Sequence, residues 1–344
     1  MRISDFDFEL PPELIAQEGL PERNSSRMLV VDRASGKFSD SWFADLPGLL
    51  SPGDVLVLNN TKVFPARLFG RTDTGSNVEI FLVEEMDPGL WECLARPARR
   101  LRKGKRISFD SRLSAEVVDN IGEGRVSIRF ESSGEELMHI LDEIGRTPLP
   151  PYIKRDASTI DEDRERYQTV FAKQRGAIAA PTAGLHFTPE ILEAIRQRGV
   201  TVAEITLHVG YGTFEPVRSE DIASHTVSSE KYEIGDGEAE LLNTAKREGR
   251  RIIAVGTTTT RALESNLNEY PVFTAGRQLA SLTIIPGYSF RAVTSLITNF
   301  HLPMSSLLIL TSTFGGRELI MNAYRHAVAE RYRFYSYGDC MFIV

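Results

Sequence analysis

Four consecutive threonines at the junction of a predicted strand and a predicted helix are the first candidates for ligand binding. The apolar segment RRIIAV leads into GTTTTRALES, residues 256–265. Threonine hydroxyls and the free backbone N–H groups of a helix start suit an anion or a ribose. Arg261 adds a positive charge and Glu264 a carboxylate. The alternative is an ordinary helix cap, for which one or two threonines suffice. The candidate ligands in the run are Thr257, Thr258 and Thr259.

Three histidines fall in loops that contain glycine or proline, not on helix faces. His208 ends a predicted strand in LHVGYGTFEPV, His301 lies in TNFHLPMSS, and His186 lies in PTAGLHFTPE. An imidazole with its ordinary pKa near about 6.5 can act as a general base. A strand-end histidine such as His208 is often structural, and a buried structural role is the alternative for His301 as well. The GYG of the first loop lets backbone approach a ligand closely, but no third glycine completes a dinucleotide-binding motif.

Several common catalytic and metal-binding motifs are missing from the sequence. It contains no HExxH, no CxxC, no P-loop and no GxSxG. Cys93 and Cys340 stand far apart and match no metal or redox spacing. No apolar stretch approaches the roughly 18 residues of a membrane helix, and the N-terminus does not look like a signal peptide. We therefore expect a reduced cytoplasmic protein without a metal, and a monomer because no coiled coil is evident.

Charge is distributed unevenly along the chain. The formal net charge is −7, yet RPARRLRKGKR, residues 96–106, has seven basic residues and no acid. A local basic patch on an acidic body is typical of a phosphate-binding surface. The alternative is a solvated hairpin that aids solubility. The basic residues are Arg96, Arg99, Arg100, Arg102, Lys103, Lys105 and Arg106.

The order of predicted elements indicates an α/β protein with an insertion. Short alternating runs between about residues 66 and 133, separated by turn signals, predict a small antiparallel β-barrel. After about residue 176, helices alternate with buried strands, which predicts a largely parallel sheet. We expect an α/β domain from residues 1–65 and 150–344, with the β-barrel domain inserted at 66–149. The three polar clusters would then lie at the carboxyl ends of strands, where open α/β sheets bind ligands.

These clusters, taken in order, resemble one family. The segments DFDFELPPELIAQ, GDVLVLNNTKVFPARLFG, PTAGLHFT, LHVGYGTFEPV, GTTTTRALES, TNFHLP and AYRHAVAERYRFYSYGD look like the S-adenosylmethionine:tRNA ribosyltransferase-isomerases of queuosine synthesis. The resemblance runs from Met1 to Val344. It implies transfer and isomerisation of the ribosyl group of S-adenosylmethionine onto 7-aminomethyl-7-deazaguanine at the tRNA wobble position. Epoxyqueuosine forms, and adenine and methionine leave. S-adenosylmethionine is then a consumed substrate, and no cofactor or metal is implied.

The resemblance also implies roles for particular residues. One set is catalytic, because the sulfonium acidifies the adjacent C5′ hydrogens and a positioned base can remove one. A second set binds S-adenosylmethionine, with Tyr211 or Phe214 facing the sulfonium. A third set binds tRNA. The catalytic candidates are His186, His208, His301 and Glu264; the substrate-binding candidates are Thr182, Gly184, Gly210, Tyr211, Gly212, Thr213, Phe214, Thr257, Thr258, Thr259, Arg261 and Asn299; the tRNA-binding candidates are the basic run with Arg331 and Arg333.

Some alternatives stay open at this point. The aromatic residues around Arg331 and Arg333 offer stacking surfaces for unpaired bases, or they form the apolar tail of a core helix. Ser228 and Met304 replace a His and an Arg that are usual in the family. A non-catalytic RNA-binding protein leaves three polar clusters unexplained, and a nucleotide-using transferase without a tRNA partner leaves the basic run unexplained.

Overall fold

The main body of the protein is a mixed β-sheet. The computed structural model describes residues 1–155, 160–210, 212, 217 and 219–344. Within these residues the sheet has nine strands: β1 Arg27–Asp32, β2 Lys37–Trp42, β3 Val55–Asn59, β12 Thr201–Leu207, β13 Glu230–Ile234, β14 Ile252–Val255, β15 Gly276–Ala280, β16 Ser295–Asn299 and β17 Cys340–Ile343. Their order across the sheet is β15-β13-β12-β3-β14-β16-β17-β1-β2.

The expectation of a largely parallel sheet holds for the centre and is wrong for the flanks. The four central strands β12, β3, β14 and β16 are mutually parallel, and β1 is parallel to β17. The remaining pairs are antiparallel. Hairpin connections such as β1–β2 produce antiparallel pairs, whereas the parallel pairs need helical crossovers.

Helices lie on both faces of the central strands, and a further helix packs against the barrel described below. They are α1 Leu46–Leu49, α2 Gly134–Ile144, α3 Ile160–Arg166, α4 Pro189–Gln197, α5 Asp236–Arg247, α6 Thr257–Glu269, α7 Ser306–Gly315 and α8 Arg317–Ala329. Strand β3 is buried throughout. Because successive side chains of a strand point to opposite faces, Val55 and Val57 pack in the core that includes α5 and α6, and Leu56 and Leu58 pack in the core that includes α4.

A closed antiparallel barrel forms a separate core. Its strands, in the order β10-β7-β6-β5-β8-β9, are β5 Arg67–Thr72, β6 Asn77–Asp87, β7 Leu90–Arg96, β8 Arg106–Ser108, β9 Ser114–Gly122 and β10 Arg125–Phe130. Strand β6 begins with alternating buried and accessible residues, the period-2 pattern of a barrel wall. Helix α2 adds Leu137 and Leu141 to this core. The predicted α/β fold with an antiparallel β-barrel is confirmed.

The last two strands, β4 Thr61–Val63 and β11 Gln174–Ala177, pair in parallel.

Helix α6 is unusual because it is polar in sequence and buried over nearly its whole length. Every residue from Thr257 to Leu267 is buried. A buried polar group costs free energy unless it is hydrogen-bonded, so these side chains need partners in the protein or in a ligand. None of the described helices is long and apolar enough to cross a bilayer.

Candidate active site

Three of the predicted loops meet around one cavity, which we call the α6 cavity. It measures about 50 Å³ and lies at the carboxyl ends of β14 and β16. The start of α6, the loop after β16 and the segment after β11 all contribute to it. The lining residues are Tyr167, Ala179, Ala180, Pro181, Thr182, Ala183, Val209, Gly256, Thr257, Thr258, Asn299, His301, Leu307, Tyr335 and Ser336.

The four threonines divide into two pairs with different surroundings. The hydroxyls of Thr259 and Thr260 donate to the carbonyl oxygens of Val255 and Gly256, at 2.7 and 3.1 Å. Thr257 and Thr258 line the cavity, and the buried Oγ1 of Thr258 has no hydrogen-bond partner. A ligand hydroxyl or carboxylate would satisfy that atom.

The chain enters α6 through a glycine that leaves the helix start open. Gly256 has φ +93°, a conformation that favours glycine, and its N–H donates to Ile297 O at 2.8 Å. It supplies no side-chain cap to the first turn. The amide N–H groups at a helix start carry partial positive charge and bind anions, so this end of the cavity suits a carboxylate.

Asn299 is the last residue of β16 and projects an unpaired oxygen. Its Nδ2 donates to Tyr335 O at 3.0 Å and lies 3.3 Å from Nε2 of His186. The buried Oδ1 has no hydrogen-bond partner. Because Nδ2 is the donor, we assign Nε2 of His186 as the acceptor and its Nδ1–H as the donor to Ser26 Oγ, at 3.0 Å. His186 therefore holds the orientation of Asn299.

Two of the predicted histidines are kept neutral by burial. Burial, with a contribution from the charge of Arg333, lowers the pKa of His186 to about 4. Burial alone lowers the pKa of His301 to about 3. His301 lines the cavity, and its Nε2 lies 2.8 Å from Thr298 Oγ1. A neutral imidazole has one ring nitrogen that can accept a hydrogen bond or a proton, and the catalytic role of His301 stays a prediction.

His208 lies outside the α6 cavity. Its Nδ1 is 2.8 Å from Thr61 Oγ1, on β4, and burial lowers its pKa. Gly176 packs so closely against the imidazole that an added Cβ would come within 2.7 Å of it. The neighbouring Gly210 donates its N–H to Glu230 Oε1 at 3.0 Å.

Arg261 is engaged in a buried ion pair instead of lining the α6 cavity. Its Nη1 lies 2.5 Å from Glu230 Oε2, and its Nη2 donates to the carbonyl oxygens of Ser228 and Ala280. Through Glu230, the pair also ties α6 to Gly210. Arg261 borders a second cavity of about 30 Å³, lined in part by Gly212, Ser228, His225, Ser306 and Leu307.

Glu264 also has a full set of protein partners. Its carboxylate accepts hydrogen bonds from the Tyr288 hydroxyl and from the backbone N–H groups of Arg291, Ala292 and Val293. The side chain is completely buried and is not among the residues that line the α6 cavity. This arrangement anchors the segment before β16 to α6.

The remaining predicted ligands are dispersed. Thr182 lines the α6 cavity. Gly184 lies where an added Cβ would approach Phe171 Cζ to 2.7 Å, so its role in the fold is close packing. Gly212 contacts Ser228 with similar tightness. Tyr211, Thr213 and Phe214 lie outside the described residues.

Tyr335 lines the cavity, a position that we did not anticipate from the sequence. It adopts φ +75°, which is uncommon for a residue other than glycine. Burial raises the pKa of its phenol to about 12, and the ring packs edge-on against Tyr152 with centroids 4.1 Å apart. The aromatic cluster FYSYGD is the one sequence signal that pointed to this segment.

The basic run forms an exposed loop on the barrel between β7 and β8. The Asn120 amide donates to the carbonyl oxygens of Ala98 and Leu101, which fixes the shape of the loop. Lys105 pairs with Asp73 at 3.6 Å, and Arg106 pairs with Glu131. Among the described residues, no carboxylate lies within ion-pair distance of the other five, Arg96, Arg99, Arg100, Arg102 and Lys103.

The C-terminal arginines differ from each other. Arg331 is exposed, whereas Arg333 is half-buried, donates to Glu18 O and has a buried Nη1 without a hydrogen-bond partner. Tyr332 and Phe334 are completely buried. These two rings therefore offer no stacking surface for bases. For them the alternative given above, an aromatic tail packed in the core, is correct.

Among the described residues, no group of three or more His, Cys, Asp or Glu side chains is arranged to hold a metal ion. Cys93 and Cys340 are free and buried. The predicted absence of a metal stays a prediction.

Comparisons with known proteins agree with the resemblance found in the sequence. A family model described as queuosine biosynthesis protein matches residues 3–343. The S-adenosylmethionine:tRNA ribosyltransferase-isomerases of Syntrophotalea carbinolica and Halothermothrix orenii are 49% and 46% identical to this chain, each over 100% of both chains. A crystal structure of an S-adenosylmethionine tRNA ribosyltransferase from Thermotoga maritima is 36% identical and covers 99% of this chain and 100% of its own, with a TM-score of 0.57. The chain belongs to the queuosine biosynthesis protein family.

Proposed function

We propose that this protein is an S-adenosylmethionine:tRNA ribosyltransferase-isomerase. It transfers and isomerises the ribosyl group of S-adenosylmethionine onto 7-aminomethyl-7-deazaguanine in tRNA, forms epoxyqueuosine and releases adenine and methionine. The observation that carries the proposal is full-length identity of 46–49% to relatives that bear this name. The α6 cavity supports it, because an open helix start and a neutral histidine meet there.

Within this proposal, the α6 cavity holds the reacting part of S-adenosylmethionine. The open first turn of α6, with Thr257 and Thr258, binds the methionine carboxylate. Asn299 Oδ1 accepts a hydrogen bond from a ribose hydroxyl, and His186 positions it. Tyr335 faces the sulfonium through a cation–π contact. His301 removes the C5′ proton that the sulfonium acidifies.

The substrate needs more room than the cavity now offers. A volume of about 50 Å³ is well below the roughly 300–1,000 Å³ of small-molecule binding pockets. Leu307 lines both this cavity and the one beside Arg261. We propose that S-adenosylmethionine displaces Leu307 and occupies both spaces.

The finer features of the protein are proposed on the same basis. The basic run Arg96–Arg106 binds tRNA phosphates. The inserted barrel domain spans residues 66–149. The reaction needs its two substrates, S-adenosylmethionine and tRNA, and no cofactor or metal. The protein acts in the cytoplasm, where its tRNA substrate is made, and it acts as a monomer. Analytical ultracentrifugation at micromolar concentration is expected to give the mass of one chain, and a dimer mass would contradict the monomer.

A double-label assay tests the reaction. Purified protein is incubated with tRNA that carries 7-aminomethyl-7-deazaguanine and with S-adenosylmethionine labelled in the ribose or in the methyl group. Ribose label in the tRNA, with release of adenine and methionine, is the expected result. Methyl label in the tRNA would mean a methyltransferase. Binding of tRNA with neither label transferred would favour a non-catalytic RNA-binding protein.

A further inference from the structure

A groove of about 790 Å³ on the outside of the barrel lies apart from the α6 cavity, and of its lining residues Arg96 belongs to the basic run proposed above to bind tRNA. We call it the barrel groove. Its walls combine two aromatic rings with three arginines and one carboxylate. These residues are Phe69, Phe109, Arg71, Arg96, Arg146 and Glu79.

The two aromatic rings of the groove differ in exposure, because Phe69 is exposed and Phe109 is partly buried against the barrel core. Phe69 on β5 is 46% exposed, whereas its neighbour Leu68 is fully buried inside the barrel. Gly70 follows, and an added Cβ there would lie 2.9 Å from Phe109 Cδ1 and from Ser108 O. The missing side chain therefore allows Phe109 to pack tightly against the floor of the groove beside Phe69.

The groove carries an excess of positive charge. Glu79, the carboxylate in its lining, already pairs with Arg67 at 3.5 Å. Of the carboxylates that the structure describes, none lies within ion-pair distance of Arg71, Arg96 or Arg146. These guanidinium groups are therefore available to an anionic partner.

One of these arginines is stacked on the exposed phenylalanine. The Cζ of Arg146 lies 4.6 Å from the centroid of the Phe69 ring. Reciprocal backbone hydrogen bonds between Arg146 and Arg67 hold this residue against β5. Arginine planes and aromatic faces are the surfaces on which proteins stack unpaired bases.

The barrel groove leads towards the α6 cavity. Arg96 also lines an adjoining cavity of about 210 Å³, whose other wall includes Leu149 and Ile153. Between these two residues, Tyr152 packs against Tyr335 and donates to Ser336 Oγ. Tyr335 and Ser336 line the α6 cavity. A chain of residue contacts thus connects the barrel groove with the segment that lines the α6 cavity.

We propose that the barrel groove binds unpaired nucleotides of the tRNA next to the base that is modified. Phe69 and Arg146 stack on a base, and Arg71 and Arg96 contact phosphates. The proposal rests on the proposed function for the identity of the RNA. The combination of unpaired arginines and stacking faces favours RNA over a peptide, which lacks regular phosphates and bases.

Binding of a fluorescent anticodon stem-loop RNA by the full chain tests the groove. We expect Phe69→Ala and Arg146→Ala each to raise Kd roughly tenfold, the effect of losing one stacked base. Phe69→Tyr keeps the stacking face and should bind within twofold of the unaltered protein. Trp42→Ala and Arg317→Ala, which change an exposed aromatic residue and an exposed arginine outside the groove, are the matched controls.

The outcomes separate this proposal from the proposed function. Unchanged Kd values for Phe69→Ala and Arg146→Ala, with melting curves like that of the unaltered protein, overturn the groove proposal. Equal weakening by the two control substitutions also overturns it. Absence of ribosyl transfer by the unaltered protein overturns the proposed function, whereas RNA affinity still reports on the groove.

Discussion

Replacing Arg261 with methionine is expected to destabilise the protein, because the buried carboxylate of Glu230 loses its nearest cation. The side chains of the pair are 9% and 4% exposed, and their closest atoms are 2.5 Å apart. Removing one partner of a buried ion pair costs about 3–5 kcal/mol. Two carbonyl oxygens, of Ser228 and Ala280, lose a donor as well.

The size of the effect can be expressed as a melting temperature. With an unfolding entropy of about 2.1 cal/mol/K per residue, a chain of 344 residues has about 0.7 kcal/mol/K in total. A loss of 3–5 kcal/mol then lowers Tm by about 4–7 °C. Differential scanning calorimetry of the unaltered and Arg261→Met proteins measures this shift.

A double substitution isolates the ion pair from other effects. Arg261→Met combined with Glu230→Met removes both charges, and it should recover much of the lost stability. If Arg261→Met leaves Tm within 1 °C but abolishes S-adenosylmethionine binding, the reasoning is refuted. Arg261 would then be a substrate ligand, as the sequence predicted, and not a structural residue.

Three further predictions follow from the site and the basic loop. His301→Ala should lower turnover at least about 100-fold, while S-adenosylmethionine binding measured by calorimetry survives. The control His208→Ala changes a histidine outside the cavity and should retain most turnover. Full turnover by His301→Ala would exclude His301 as the general base. Because burial lowers the pKa of His186 to about 4 and of His301 to about 3, the folded state resists protonation. Unfolding free energy should therefore be highest above pH 6.5 and fall as pH drops towards 4. In urea titrations, His301→Gln should make that fall shallower by about 1.4 kcal/mol per pH unit, and an unchanged slope would contradict its burial as a neutral base. Reversing the charges of Arg99, Arg100 and Arg102 to Glu should weaken tRNA binding and reduce the salt slope by at least about 2, whereas an unchanged slope would exclude phosphate contacts there.

Local signals in the sequence predicted most of the elements. Thr188 followed by Pro189 predicts the start of α4, and the Thr188 hydroxyl does accept from Ile191 N. The alternating short runs predicted a barrel because strand periodicity is local. The segment ELIMNAYRHAVAERYRF predicts one amphipathic helix, but α8 ends at Ala329 and the chain turns at Arg331, whose φ is +56°.

Partners distant in sequence could not be predicted. Glu264 reads as a free carboxylate until the fold brings three backbone N–H groups, 27 to 29 residues later, onto it. Arg261 meets Glu230 only through the packing of α6 against β13. The direction of the outer strands of the sheet depends on how the chain connects them to their neighbours, and hydrophobic periodicity does not determine that connection.

Hydrogen–deuterium exchange with and without S-adenosylmethionine tests most directly whether the α6 cavity is the substrate site. The amides of Thr257, Thr258 and Thr259 lie in the first turn of α6 and have no intrahelical acceptor, so a ligand that binds them should slow their exchange. We predict slower exchange in peptides that cover residues 256–260 and 299–301 when S-adenosylmethionine is bound. Unchanged exchange in both segments, with protection elsewhere in the chain, would contradict the assignment of this cavity as the active site.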